Sequence, residues 1–434
     1  MTEVINSGRW LTVMSKFIFK SYSFDKTNSL ARFEYAFDDG RAFTESVFFK
    51  SSSQYDNKAL DHAMFLAFIL IGTSYYKTFP LHDVVVSAPL DEWQADFFTR
   101  VYQEGLSQFA FENGLNRGDL AHFQANATDC SGDYHYDGSG ILALQSGGKD
   151  SILLASLLTE KGKNFTSWYV SNGDHHPKFL DEIGLELVTS VRTIDRAGLQ
   201  KSSDDGAKNG HVPVTYIIQS LALIQAILLD KKDILTSIAH EGEEPRGYIG
   251  DLPINHQWSK TWQAEKAFSE YVSRYISADF RVGSPLRAYS ELRIAELFAQ
   301  HSWSDYGQLF SSCNIANYQQ GIDNTRLHWC GNCPKCANTY LLFAPFLPAE
   351  ELRSIFANQD LFEKPTLENT FKGLLGIDNV PKPFECIGEV EELRLAYHLS
   401  QKNGYRSLPF FVPDSLFDYM KLYPAQEWAV KMLE

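Results

Sequence analysis

The sequence predicts an α/β protein: a parallel sheet covered by helices, preceded by an α+β section and followed by a helical region. Three observations carry this. From residue 139, short apolar runs alternate with helix-length apolar-periodic segments, the pattern of βαβ units around a parallel sheet. Residues 17–50 instead alternate apolar and polar positions, as half-buried strands do. A glycine pair, Gly147-Gly148, joins the strand-like run Gly140–Gln145 to the helix-like run Ile152–Leu158.

In chain order, strands at Phe17–Lys20 and Ala31–Phe37 lead to the turn signal Asp38-Asp39-Gly40. Helices are expected at 56–75 and 91–114, separated by a strand at Val84–Ser87, with Asn113-Gly114 ending the second helix. The α/β portion has strands at Ile141–Gln145, Thr166–Ser171, Leu187–Ile194 and Ile234–Ile238. Its helices are Asp150–Lys161, Val212–Leu229, Ser259–Ile276 and Glu291–His301. From about 345 the chain reads as helical, with a rigid joint at Pro381-Lys382-Pro383. These elements divide into an α+β domain (1–135), an α/β domain (136–312), a four-cysteine segment (313–345) and a helical region (346–434).

Composition narrows the function classes. The 434 residues suffice for two or three cores. A net charge of −15 disfavours a broad nucleic-acid surface, while leaving room for a small anionic substrate held by a local Arg/Lys cluster. The most apolar segments, 64–72 and 216–229, fall short of a membrane span. Met1–Lys16 is mixed and polar rather than a signal peptide. A cytoplasmic enzyme with no membrane or nucleic-acid partner is expected.

Ser146-Gly147-Gly148-Lys149-Asp150-Ser151 is the most informative stretch. Glycines between a strand and a helix let the backbone approach an anion, and the helix N-terminus offers free N–H groups. Lys149 adds charge, and Ser146 and Ser151 add hydroxyl donors. The spacing differs from the common P-loop, Gly-x-x-x-x-Gly-Lys-Ser/Thr. It resembles the PP-loop of the ATP pyrophosphatases, with an adenine nucleotide alpha hydrolase-like core. That resemblance implies ATP cleavage to AMP and pyrophosphate, with Mg²⁺ neutralising the phosphates.

Six cysteines are present, four of them clustered late in the chain. Cys313 and the run Cys330-Gly331-Asn332-Cys333-Pro334-Lys335-Cys336 suit a closed thiolate site for structural Zn²⁺; an Fe–S cluster uses similar ligands. The pattern resembles the zinc site of 7-cyano-7-deazaguanine synthases, although the first gap is wider here.

Three further segments stand out. Asn209-Gly210-His211-Val212-Pro213-Val214-Thr215 brings His211 to a helix start, and equally reads as a cap followed by an N1 proline. Asn255-His256-Gln257-Trp258-Ser259-Lys260 reads as a polar binding wall before a helix, or as a Ser259 cap. Lys382-Pro383-Phe384-Glu385-Cys386-Ile387-Gly388-Glu389 offers a thiol that is either a packing residue or a catalytic group.

Taken with Ser74-Tyr75-Tyr76-Lys77 and Gly105-Leu106-Ser107-Gln108-Phe109-Ala110, these segments resemble, in order, the glycopeptidyl-glutamate epimerases (the MurL family). The resemblance runs through nearly the whole chain. It departs after Ile238, where Ala239-His240-Glu241 stands in place of an Asn-Glu pair. It implies conversion of UDP-N-acetylmuramoyl-L-alanyl-L-glutamate to the D-glutamate form for peptidoglycan. Adenylation would remove the negative charge that makes an α-proton beside a carboxylate so weakly acidic. His211, His256 and Cys386 are then the acid/base candidates, with His175 and His176 behind them. Arg246, Lys260 and Arg287 are candidate partners for substrate carboxylates or the diphosphate, with Asn255 and Gln257 on the binding wall. The rivals are a deazaguanine-type nitrile or amide synthase and a non-catalytic ATP-binding interaction module.

Overall fold

The computed structural model describes residues 14–52, 54–172, 186–319 and 327–434; His175 and His176 lie outside them. Strands β1 (Phe17–Asp25), β2 (Leu30–Phe37) and β3 (Ala42–Phe48) form an antiparallel meander. Helix α1 (Asn57–Tyr76), strand β4 (Val84–Val86) and helices α2 (Glu92–Gln103) and α3 (Ser107–Glu112) follow. Asp56 caps α1, its carboxylate accepting from the N–H groups of Lys58 and Ala59 at 2.8 and 2.9 Å. Helix α1 is long and apolar enough to cross a membrane, but 83% of its apolar window is buried inside the protein, where it is a core helix.

The α/β portion contains β5 (Ile141–Leu144), α4 (Lys149–Glu160), β6 (Phe165–Asn172), β7 (Leu187–Thr193) and α5 (Arg196–Asp204). It continues with α6 (Val214–Leu228), β8 (Asp233–Leu235), the small hairpin β9 (Tyr248–Ile249) and β10 (Leu252–Pro253), α7 (Trp262–Tyr275), β11 (Arg281–Gly283) and α8 (Glu291–His301). Among the described residues one sheet has the order β11-β8-β5-β6-β7-β3-β2-β1-β4. The run β11-β8-β5-β6-β7 is parallel, and β7 then pairs antiparallel with β3. The sheet therefore runs continuously across residue 135. At that seam Arg192 on β7 donates to the buried Glu45 on β3 at 2.6 Å, and the Tyr75 hydroxyl donates to the same carboxylate at 2.8 Å.

Strand order places the ligand edge. The chain steps from β5 to β6 and β7 in one direction, then returns to set β8 on the other side of β5. Loops leaving β5 and β8 diverge at this switch point and open a crevice beyond the strand ends. One apolar core, including Phe19, Tyr35, Phe68 and Tyr102, packs around α1, α6 and α7. A second joins α4 and α8 to the C-terminal helices α9 (Pro334–Phe343), α10 (Glu368–Leu375) and α11 (Val390–Lys402).

Three local expectations change. The single helix expected at 91–114 breaks between α2 and α3. A Cβ on Gly105 would stand 2.4 Å from Val101 O and 3.1 Å from Pro213 Cβ, so only glycine fits this close approach. Thr261, not Ser259, caps the helix after the polar wall, its hydroxyl accepting from Ala264 N at 3.2 Å. Residues 403–426 form no helix, because Pro409, Pro413 and Pro424 interrupt the ladder.

Candidate active site

Gly147 adopts φ +77°, a left-handed conformation that suits glycine, and Gly148 is the N-cap of α4. The Gln145 side chain fills the resulting cup. Its Oε1 accepts from the N–H groups of Ser146 and Gly147, both at 3.0 Å, and from the Ser151 hydroxyl at 2.5 Å. Lys149 is buried and donates at 2.6 Å to both Asp150 Oδ1 and Glu291 Oε2. Burial opposes its charge, but the two carboxylates prevail and raise its pKa. Burial, with Asp150 and Glu241 nearby and Lys149 opposing, pushes the Glu291 carboxyl up to about 7.

The loop after β8 supplies the facing wall. Glu241 accepts from Lys260 at 3.1 Å and from Gln257 at 2.5 Å. Burial would raise its pKa, yet Lys260, Lys149 and Lys335 bring it below the usual glutamate value. Gly242 adopts φ +79°, and a Cβ there would stand 2.9 Å from Gln257 Cβ, so the turn lets Gln257 close on Glu241. Asn255 supports the same turn by donating to Gly242 O at 2.6 Å and accepting from Gln257 N at 2.8 Å.

Lys149, Asp150, Glu241, Lys260 and Glu291 meet at a cavity of about 220 Å³, whose wall Asn255 and Gln257 support without lining it. Its walls include Ser146, Gly148, Lys149 and Asp150 from the loop, Glu241, Lys260 and Glu291 opposite, and Cys386. Ser311, Ser312, Asn314, Lys335, Asn338 and Thr339 complete it. Lys149, Lys260 and Lys335 line it with Asp150, Glu241 and Glu291, so each cation it offers to a phosphate is balanced by a carboxyl. A larger cavity, about 850 Å³, lies between residues 91–131 and Arg274-Tyr275. Asp91, Glu92, Asp96 and Asp129 outnumber Arg274 there, which suits no polyphosphate.

The remaining expected site residues fall into separate places. Ser151 and Gly147 are buried behind the loop. Arg246 donates to the carbonyls of Lys382 and Glu385 and stacks 4.8 Å from the Phe384 ring, so it holds the segment that carries Cys386. His211 and His256 stand side by side with ring centroids 4.4 Å apart, outside the cavity lining. Burial, with His256 and Lys77 adding to it, lowers the His211 pKa to about 3. Burial likewise lowers His256 to about 4, so both rings are neutral at pH 7. Arg287 is fully buried, donates to Glu265 at 2.9 Å and Ala239 O at 2.8 Å, and does not line the cavity.

Cys313, Cys330, Cys333 and Cys336 converge, with all four sulfurs within 4.8 Å of one another. Sulfur–sulfur separations of 3.5, 3.6, 3.7 and 3.9 Å link the four. A tetrahedral ion with metal–sulfur bonds of about 2.3 Å requires about 3.8 Å, so the residues fit a single metal ion. A cluster that puts each thiolate on a different iron would spread the sulfurs further. The metal segment is also wired to the anion loop: Ser311 N donates to Gly147 O at 3.1 Å, and Ser311 Oγ accepts from Cys313 N at 3.1 Å. Helix α9 carries Cys336 on one side and the cavity residues Lys335, Asn338 and Thr339 beside it.

Sequence reading alone missed Gln145, Glu291 and the α9 residues. Gln145 carried one signal, a buried amide ending an apolar strand; Glu291 carried none, because its partner is 142 residues away.

Comparison with known proteins gives the family. Residues 10–284 match the MurL N-terminal domain and residues 309–414 the MurL C-terminal domain. A Salinispora tropica protein named UDP-N-acetyl-alpha-D-muramoyl-L-alanyl-L-glutamate epimerase is 32% identical over 91% of this chain and 87% of its own length. Relatives of the same name from a Micromonospora species and Xanthomonas oryzae pv. oryzae are 33% and 32% identical, over 91% and 88% of this chain and 89% and 85% of theirs. With both halves matched and such identity along nearly its full length, the chain belongs to the MurL family.

Proposed function

We propose that this protein is an ATP-dependent isomerase that converts the terminal L-glutamate of UDP-N-acetylmuramoyl-L-alanyl-L-glutamate to D-glutamate, in the cytoplasmic stage of peptidoglycan synthesis. The observation that carries the reading is the convergence of the Ser146–Ser151 loop, Lys260, Lys335 and Cys386 on one cavity at the switch point of the sheet. The shared name of the relatives supports the substrate.

In this reading the core is a PP-loop ATP pyrophosphatase. The substrate α-carboxylate attacks the α-phosphorus of ATP; the bond to the bridging oxygen breaks, and pyrophosphate leaves. Lys149 holds the phosphates, and Ser146 and the α4 N-terminus present donors to them. Mg²⁺, held beside the phosphates by Asp150, would neutralise charge on the leaving group. The acyl-adenylate no longer carries a carboxylate charge, so its α-proton passes more readily to a base. Reprotonation from the other face gives the D centre, and water cleaves the anhydride to D-glutamate and AMP. His256, next to His211, and Cys386 come from different elements, as removal on one face and delivery on the other require. Arg246, Asn255, Gln257 and Lys260 shape the substrate side. The four thiolates hold Zn²⁺ as a structural ion.

Incubation with ATP and the UDP-muramoyl dipeptide in D₂O tests this. Deuterium at the glutamate α-carbon, D-glutamate after hydrolysis, and AMP with pyrophosphate are expected. A nitrile or amide product without deuterium would show the deazaguanine-type chemistry instead, and ATP binding without turnover would show a binding module.

A further inference from the structure

The His256 ring is held from outside the α/β portion. Helices α2 and α3 reach the 255–258 segment through three bonds: from α3, Asn255 N to Ser107 Oγ at 3.0 Å and His256 Nδ1 with Gln108 Oε1 at 2.5 Å, and, from the end of α2, Trp258 Nε1 to Glu104 at 2.7 Å. Gln108 is 6% exposed, and its other amide atom, Nε2, donates to the carboxylate of solvent-exposed Glu112 at 2.7 Å.

We infer that Gln108 is a positioning residue that fixes the tautomer of His256, with Glu112 fixing the orientation of Gln108. A carboxylate only accepts, so it takes the NH₂ end of the amide and turns the carbonyl oxygen towards the ring. A carbonyl oxygen also only accepts, so Nδ1 must carry the proton. The neutral ring then has its lone pair at Nε2, ready to take a proton. The flipped amide would set two acceptors against each other at Glu112. Other charged or titratable groups acting on His256 are Glu385, Arg246, Lys335, Lys260 and the neighbouring His211. Among the described residues, none of these hydrogen-bonds to Nδ1 in competition with Gln108.

This rests on the acid/base role proposed for His256, so the experiment separates the two. ¹⁵N NMR of histidine-labelled protein, assigned by difference with His256→Ala, reads the tautomer without any turnover. The wild type is expected to show Nδ1–H. Glu112→Lys, a surface change, puts a donor at that position, turns the amide round and is expected to shift the ring to Nε2–H. Epimerisation kcat should then fall on the order of 10²-fold, the lower end of what a positioned general base contributes, with KM little changed. Gln108→Leu should fall similarly. Gln108→Glu keeps an acceptor, so it should restore activity while moving the acid limb of the pH profile upward. An Nε2–H wild type, or an unchanged tautomer and kcat in Glu112→Lys, overturns the inference. Full activity in His256→Ala would instead remove the catalytic reading and leave the tautomer result standing.

Discussion

Glu291 Oε2 lies 2.6 Å from Lys149 Nζ, so the cation offered to an anion is already paired. Binding a nucleotide must break or share that pair. Glu291→Gln keeps the side-chain shape and removes the competing charge. It is expected to tighten ATP binding about fivefold, or about 1 kcal/mol, in calorimetry without substrate. Weaker binding would mean that Glu291 serves the nucleotide directly. Lys149→Ala should abolish pyrophosphate release while leaving metal content at the wild-type level.

The four-thiolate site braces helix α9, which also supplies Lys335, Asn338 and Thr339 to the cavity. Cys333→Ser should lose the metal, measured by atomic emission, and lower Tm by roughly 5–10 °C. Chelation of the wild type should reproduce the loss. An unchanged Tm in a metal-free variant would show that the thiols pack without an ion.

Arg287 is fully buried, and Glu265 is its one carboxylate partner among the described residues. Glu265→Leu strands a charge in the core, which typically costs about 3–5 kcal/mol. Urea unfolding should show a loss of that size, and Arg287→Met should cost less because it removes the charge itself. Equal losses in the two variants would show that shape, not charge, holds this position.

Glu392 is 1% exposed and accepts from Leu292 N at 2.7 Å. Burial, with Glu291 and Glu389 adding to it, pushes its carboxyl up from 4.5 to about 8. The folded form therefore binds this proton more tightly than the unfolded chain. Its contribution to stability is full below pH 4.5 and is lost as pH rises towards 8. Glu392→Gln keeps the acceptor and cannot ionise. Its advantage over the wild type should grow by up to about 1.4 kcal/mol per pH unit across that window. A pH-independent difference between the two would show that Glu392 stays charged.

How much of this was legible in the chain depends on distance along it. The βαβ alternation, the long apolar helix α1 and the turn at Asp38-Asp39-Gly40 follow from patterns a few residues long, and they appear as read. The break at Gly105 did not, because part of the crowding there comes from Pro213, more than 100 residues later. The C-terminal strap 403–426 was read as helical, although its prolines were visible.

The sequence by itself determined the glycine turn after β5 and the closeness of Cys330, Cys333 and Cys336. A glycine at positive φ, a strand end and a helix start are local, and cysteines spaced three apart come together within a turn. Only the tertiary structure decided what those parts face. Lys149 meets Glu291 because β8 returns beside β5, and His256 meets Gln108, 148 residues away, because the chain bends at Gly105. Side-chain periodicity reports neighbours three or four residues apart. Partners set by strand order leave no such trace, and here they hold the lysine and the histidine of the candidate site.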